Sequence, residues 1–233
     1  MRGMKAIIMM VCLVLLAAPA SKAQDEPGRS PACEDLHWNA TWTILAVGAV
    51  GTAVAMIDDE IIPSGDRHPD RELGFVLDAG NVYGEGRLVG GMCFASLAYG
   101  ALADDARIAA LGVDLTRSFF ATGLVTGALK FSVNRHRPNG GEHSFPSGHT
   151  SSAASTVVVL WRHLGWQAGV PAAIMTGITG AARIEAQKHY LSDVIAGATI
   201  GLVMGRLVTN RRDERDGWTV GAMPGGLTVS RTF

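Results

Sequence analysis

Six apolar segments, each with helical rather than alternating character, set what this chain can fold into. They run over residues 41–57, 88–103, 115–130, 151–161, 167–183 and 190–208, and short polar or Gly/Pro-containing connections separate them. The pattern predicts an all-α, six-helix bundle over residues 41–209, and 233 residues are enough for one such domain with a real core. Apolar residues make up 48% of the chain and charged residues 18%, but small residues rather than unbroken leucine-rich runs supply the apolar share. A compact bundle and a set of membrane helices are therefore both open. The segment GFVLDAGNVYGEGR, residues 74–87, is rich in glycine, matches no Walker or dinucleotide pattern, and reads as a bend. The GxxxG-like spacings are those of any closely packed, alanine-rich bundle.

Residues 1–23 read as a signal peptide: Arg2 and Lys5 lead, AIIMMVCLVLLAA follows, and Ser21 and Ala23 stand where a signal peptidase takes small side chains. The expectation is export to the bacterial cell envelope, membrane-associated or periplasmic. Residues 24–40, broken by Pro27 and Pro31, read as an N-terminal arm. Residues 210–233 read as a charged linker and a tail whose two short β-prone runs predict a small hairpin. Loss of the first 23 residues removes Arg2, Lys5 and Lys22 and no acid, taking the formal charge from −1 to −4 and arguing against nucleic acid as a partner. Cys33 and Cys93 remain; they match no metal-ligand spacing, and one disulfide or two buried thiols are equal alternatives.

Three blocks gather the residue types that bind and transfer phosphate. In KFSVNRHRP, Lys130 and Arg137 are seven positions apart, about two helical turns, so on a helix both cations share a face and Pro138 sets Arg137 at its end. In PSGH, Pro146 and Gly148 set a tight turn, Ser147 can cap the next helix, and the backbone N–H groups at that helix start favour an anion. His149 stands at this mouth and has the titration range to protonate a leaving oxygen near neutrality. In ARIEAQKHYLSD, Arg183 precedes His189 by six residues and Asp193 follows it by four. A helix from about His189 stacks the carboxylate beside the imidazole, fixes its tautomer, and leaves the other ring nitrogen as a nucleophile.

Each piece alone has an ordinary explanation: a solvated cation at a helix end, a plain N-cap, a surface His–Asp contact. Three cations, two histidines and a carboxylate all at helix ends, in this order, do not. His136 and His143 flank the same loop without a partner at metal-ligand spacing and read as loop residues within reach of a substrate. The paired acids Asp58–Asp59 and Asp104–Asp105 are explained by helix ends.

Lys-x6-Arg-Pro, then Pro-Ser-Gly-His, then Arg-x5-His-x3-Asp resembles the signature of the type 2 phosphatidic acid phosphatase (PAP2) superfamily, which includes the vanadium haloperoxidases. The matching positions are Lys130, Arg137, Pro138, Pro146, Ser147, Gly148, His149, Arg183, His189 and Asp193. The resemblance implies a PAP2-like bundle and a phosphatase that needs no metal or other cofactor. It makes His189 the nucleophile that becomes phosphohistidine, Asp193 the group that orients it, and His149 the proton donor to the leaving alkoxide and then the activator of water. Lys130, Arg137, Ser147, Gly148 and Arg183 would hold the phosphate oxygens. Ala182 stands where the family carries a serine before the arginine, and the missing hydrogen bond, about 1 kcal/mol net, implies weaker activity. The implied substrate is a phosphomonoester or diphosphate of a membrane lipid: phosphatidate, phosphatidylglycerol phosphate, isoprenyl diphosphate or lipid A. A soluble broad-specificity acid phosphatase, a vanadium-dependent haloperoxidase and a non-catalytic phosphate-binding relative are the alternatives.

Membrane members of the family start in the cytoplasm and present the site on the outer face, an arrangement that a cleaved leader followed by six spans reverses. Residues 151–161 are also shorter than the roughly 20 residues that a span requires, and Asp114 and Arg117 interrupt the third segment. The expectation is an exported, membrane-associated protein, with a soluble periplasmic bundle as the alternative.

Overall fold

The structure, a computed structural model, describes residues 31–61, 71–213, 218–223 and 226–231. The leader assigned to residues 1–23 and the side chains of Cys33, Asp58 and Asp59 lie outside the described residues. Seven helices stand among the described residues: α1 (Pro31–Ile61), α2 (Arg71–Gly84), α3 (Gly86–Leu102), α4 (Ala106–Val133), α5 (Gly148–Leu164), α6 (Trp166–Glu185) and α7 (Leu191–Asp213). Two strands follow, β1 (Trp218–Met223) and β2 (Gly226–Arg231), paired antiparallel with Val220 opposite Val229.

The helix count is seven rather than six because the glycine-rich stretch read as a bend is α2. Its glycines permit contact, not turning. A Cβ on Gly80 would stand 2.8 Å from the Ile178 carbonyl carbon, and one on Gly84 2.9 Å from the His149 backbone oxygen. α2 therefore lies directly on α6 and on the first turn of α5, and Thr179 Oγ1 donates to the Gly80 carbonyl at 2.7 Å. Two other boundaries move. α1 begins at Pro31, so most of the expected arm is helix, a start consistent with the fixed φ of proline and its missing N–H at the first helical position. α4 begins at Ala106 because Asp105 caps it, its Oδ1 accepting from the Arg107 and Ile108 N–H groups at 2.9 and 3.1 Å. Asp114, expected to interrupt this segment, is fully buried and meets His163 Nε2 of α5 at 2.8 Å. Its charge thus faces the bundle, where a partner exists, and the helix runs through it.

α5 is the central helix, packed by α4, α6 and α7. Gly197, Gly201 and Gly205, one turn apart on α7, lie against Ser147, Ser151 and Ser155, one turn apart along α5. A Cβ at Gly197 would stand 2.5 Å from the Ser147 oxygen, and one at Gly201 2.4 Å from the Ser151 oxygen, so the two backbones touch. The helices run parallel, which sets their N-termini side by side, and Ser147 N–H donates to the Asp193 carbonyl at 2.9 Å. The antiparallel neighbours α4 and α6 end at the same place. Four helix ends therefore meet at one end of the bundle.

The buried apolar cluster, Val89, Cys93, Leu111, Leu115 and Val159, sits between α3, α4 and α5. Cys93 is a buried free thiol. Much of the remaining interior is hydroxyl-lined: Ser118 Oγ donates to the Ser155 carbonyl at 2.8 Å, Thr126 to Ser151 Oγ at 3.0 Å, and Tyr83 pairs with Thr156 at 2.7 Å. Large apolar side chains instead face outward, among them Val47, Val54, Phe94, Leu102, Phe120, Leu124 and Phe131. Three stretches, Ala40–Ile57, Ala106–Val133 and Leu191–Thr209, are long and apolar enough to cross a membrane. A polar, tightly packed interior under an apolar exterior is the inverse of a water-soluble bundle and suits a lipid surround.

Candidate active site

The site forms where those four helix ends meet. Lys130 occupies the last turn of α4, which Asn134 terminates in the left-handed conformation (φ 43°), its N–H returning to the Lys130 carbonyl. The helix thus stops before Arg137, and the expectation that Lys130 and Arg137 share one helical face is not met. Arg137 is instead held by a loop turn, in which its N–H donates to the Gly141 carbonyl at 2.7 Å and its carbonyl accepts from Gly140 N–H at 3.0 Å. Lys130 Nζ donates to the His143 carbonyl at 2.8 Å, and its Cε passes 3.6 Å from the place where a Gly148 Cβ would be. The lysine stem thus passes over the start of α5 at ordinary van der Waals distance. His143 contributes to the same clip, its Nδ1 lying 3.2 Å from the Lys130 carbonyl and its ring edge-on to Phe131.

Ser147 is the N-cap of α5; its buried Oγ accepts from Thr150 N–H at 3.4 Å and pairs with Thr150 Oγ1 at 2.9 Å. The side chain is therefore committed to the cap, while Gly148 and His149 begin the helix at the site. An α-helix leaves its first N–H groups without intrahelical partners, and they carry the positive end of the macrodipole. Arg183, 7% exposed, lies in the last turn of α6 and donates through Nη1 to Asn81 Oδ1 of α2 at 3.1 Å. Its Nε and that of Arg137 are buried without a hydrogen-bond partner. Ala182, where a serine is expected, is 2% exposed beside it.

His189 is 3% exposed, in the turn between α6 and α7, with its N–H directed to the Arg183 carbonyl at 3.3 Å. Asp193 lies in the first turn of α7 with its Oδ2 3.7 Å from His189 Nδ1, outside hydrogen-bond range, and that nitrogen has no other partner. The helix begins after His189 rather than at it, so the carboxylate turns back to cap the helix start: Oδ2 accepts from Tyr190 N–H at 2.9 Å and from Ser144 Oγ.

All eight expected residues are thus gathered, and they act on one another electrostatically. Lys130 feels Arg137, Arg183 and Asp193; Arg183 feels Arg137; His149 feels Arg183, His189 and Lys188. Burial, and then the Arg183 and His189 charges, push His149 down to about 4. His189 is also held below its ordinary value, chiefly by burial, which outweighs the pull of Asp193 in the other direction. Two neutral imidazoles facing three cations form a cradle for an anion, one that can supply a nucleophile and, once an anion is bound, an acid.

Four residues that sequence reasoning missed complete the arrangement: Asn81 on Arg183, and Arg135, Ser144 and Tyr190 around Asp193. Ser144 stands two residues before the PSGH turn and was within reach of a closer reading; Arg135 and Asn81 carry no periodic or motif signal.

The PAP2 superfamily profile matches residues 139–216. A lipid A 1-phosphatase of Porphyromonas gingivalis is 34% identical over 89 residues, a stretch covering 36% of this chain and 20% of that protein's length. Among solved structures, a transmembrane PAP2-type phosphatidylglycerolphosphate phosphatase from Bacillus subtilis superimposes with a TM-score of 0.53 at 19% identity, covering 90% of this chain and 96% of its own. LpxE of Aquifex aeolicus gives a TM-score of 0.53 at 22% identity over 66% of this chain and 94% of its own. These last two likenesses establish the fold.

Proposed function

We propose, from the match of residues 139–216 to the PAP2 superfamily profile, that the protein is a lipid phosphate phosphatase working through a phosphohistidine. The observation that carries this reading is the pair of buried, unpartnered guanidinium nitrogens, Arg137 Nε and Arg183 Nε, beside Lys130 and the start of α5. Buried donors are nearly always satisfied, and a phosphate oxygen is the partner this cluster of cations selects. The outward-facing apolar side chains and the three membrane-length stretches support a lipid as its source, as does the partial match to a lipid A 1-phosphatase.

In this mechanism His189 Nε2 attacks phosphorus, the P–O bond to the lipid breaks, and the leaving oxygen takes a proton from His149. The imidazolium that forms on His189 is stabilised by Asp193, whose 3.7 Å separation in the resting site closes as Nδ1–H becomes a stronger donor. His149, now neutral, removes a proton from water, which attacks the phosphohistidine and releases inorganic phosphate. Lys130, Arg137, Arg183 and the Gly148 N–H stabilise the equatorial oxygens where charge gathers. Ser147 contributes by fixing the turn, its hydroxyl being engaged with Thr150. Fixed cations supply the charge stabilisation for which other phosphatases use a metal, so the reaction is expected to survive chelators. Export through the leader and placement of the site at the outer membrane face belong to the same proposal.

The test is inorganic phosphate release from phosphatidate, phosphatidylglycerol phosphate, an isoprenyl diphosphate and lipid A in mixed micelles, beside a soluble aryl phosphate. Wild type is expected to favour one of the lipids, and His189→Ala to lose at least about a thousandfold in kcat. Equal or greater turnover of the aryl phosphate without detergent would replace the lipid reading with a soluble acid phosphatase. A folded wild type that releases nothing, yet oxidises halide with added vanadate, would replace the phosphatase.

A further inference from the structure

Arg135 lies between the end of α4 and the Arg137 loop, at a position outside the motif pattern. Its Nη1 donates to Asp193 Oδ1 at 2.9 Å and to Ser192 Oγ at 2.6 Å, and its guanidinium lies 4.0 Å over the centre of the Tyr190 ring. Its carbonyl accepts from Ser144 N–H at 2.7 Å, and Ser144 Oγ in turn donates to Asp193 Oδ2. The carboxylate is therefore gripped from two sides: Oδ1 by Arg135, Oδ2 by the Ser144 hydroxyl and the Tyr190 N–H. The oxygen nearest His189 stays 3.7 Å from Nδ1.

We propose that Arg135 is a positioning residue for phosphoryl transfer, the counter-cation that holds Asp193 back from His189 in the free enzyme and so keeps the imidazole unprotonated and nucleophilic. The kinetic part of this inference rests on the phosphatase reading; the electrostatic part does not. The groups that act on His189 are Asp193 from α7, Lys130 from α4 and Arg183 from α6, with His149 of α5 coupled to it; Asp193 alone is an anion. A bare carboxylate beside a buried imidazole draws a proton onto the ring and removes the lone pair that must attack phosphorus. Paired with Arg135 the carboxylate pulls less strongly on a proton at His189 than a bare one, and the Ser144 and Tyr190 donors limit its approach. As the P–N bond forms and the P–O electron pair moves to the leaving oxygen, positive charge grows on the ring, and only then does closing on Nδ1–H become favourable. Stacking on Tyr190 suits the planar guanidinium, so lysine is an incomplete substitute.

The test compares Arg135→Gln, which keeps a donor and loses the charge, with Arg135→Lys, which keeps the charge. In ligand-free protein the NMR titration midpoint of His189 is expected to rise by about one pH unit in the glutamine variant and to stay near wild type in the lysine variant. The acid limb of kcat/KM moves up by the same amount, the loss at neutral pH stays within about threefold, because His189 starts below its ordinary value, and recovers at higher pH, and KM stays within about twofold. Adding Arg135→Gln to Asp193→Asn costs nothing further. An unmoved midpoint in a glutamine variant that still binds inorganic vanadate overturns the proposal. So does a raised KM with an unchanged pH profile, which makes Arg135 a phosphate ligand. A wild type without phosphatase activity ends the functional reading, while the titration still decides the role of Arg135. If the glutamine variant does not fold, Tyr190→Leu, which removes the platform under the guanidinium, is expected to move the midpoint in the same direction by less, and no movement refutes the idea.

Discussion

Filling the cradle with an anion is predicted to create its acid. In the free site His149 is pushed down to about 4, first by burial and then by the charges of Arg183 and His189, so near neutrality it has no proton to give. Two unit charges about 4 Å apart interact by about 4 kcal/mol at an effective dielectric of about 20. One pKa unit is about 1.4 kcal/mol, so a single anionic charge beside the ring restores about three units and brings His149 to about 7. Binding and protonation are then linked, and the anion must bind about tenfold more tightly for each pH unit between about 7 and 4. Sulfate is the clean probe because it stays dianionic across that range. The assay is sulfate inhibition as a function of pH, with the His149 midpoint followed by NMR in the presence and absence of sulfate. The slope is expected to flatten in His149→Gln, leaving only the contribution of His189. A midpoint that stays near 4 with sulfate bound, or an equal slope in the glutamine variant, would refute the reasoning and require another proton donor.

Three further outcomes follow from the same contacts. Gly84→Ala places a Cβ 2.4 Å from Thr179 Cγ2 and 2.9 Å from the His149 oxygen, so thermal denaturation should show a loss of about 1–3 kcal/mol. Its kcat should fall as well, whereas Gly74→Ala, with nothing within 4 Å and inside α2, should leave kcat unchanged and raise stability by about 0.5–1 kcal/mol. Ala182→Ser restores a hydroxyl beside Arg183, and a gain of about 1 kcal/mol net would appear as a roughly fivefold rise in kcat/KM. Because His149 and His189 are both held below their ordinary values in the fold, the unfolded chain takes up protons first. Their contribution to stability is therefore complete above about pH 6.5 and lost as pH falls towards about 4, so Tm in detergent should drop over that window and less steeply with sulfate present.

How much of this was legible in the sequence depends on where the information lies. The candidate set was readable because Lys130, His149, Arg183, His189 and Asp193 are uncommon residue types for apolar helix ends, and the end-to-end meeting of α4, α5, α6 and α7 brings such ends together. α2 was not readable. Its glycines look like breakers in sequence, but they let its backbone lie on Ile178, Thr179 and His149, a tertiary reason that no window of residues displays. The route of Arg137 into the site was misread for a related cause: Asn134 stops α4 in the left-handed conformation, and a loop rather than a helical face brings the second cation in. Asp114 was weighed as a charge against a membrane helix, but His163 lies 49 residues further along the chain and meets it only in the packed bundle. Arg135 and Asn81 take their roles entirely from partners distant in sequence, Asp193 and Arg183.

The most direct test of the central claim, that the phosphoryl group passes to His189, is to trap it there. In His149→Gln an activated aryl phosphate, whose leaving group needs no proton, still transfers its phosphoryl group, while water is no longer activated and the intermediate accumulates. With a radiolabelled aryl phosphate and an alkaline quench, the account predicts an acid-labile, alkali-stable label that maps to His189 and disappears when His189→Ala is added. An acid-stable ester, a label on another residue, or no label from folded protein that still binds sulfate would contradict it.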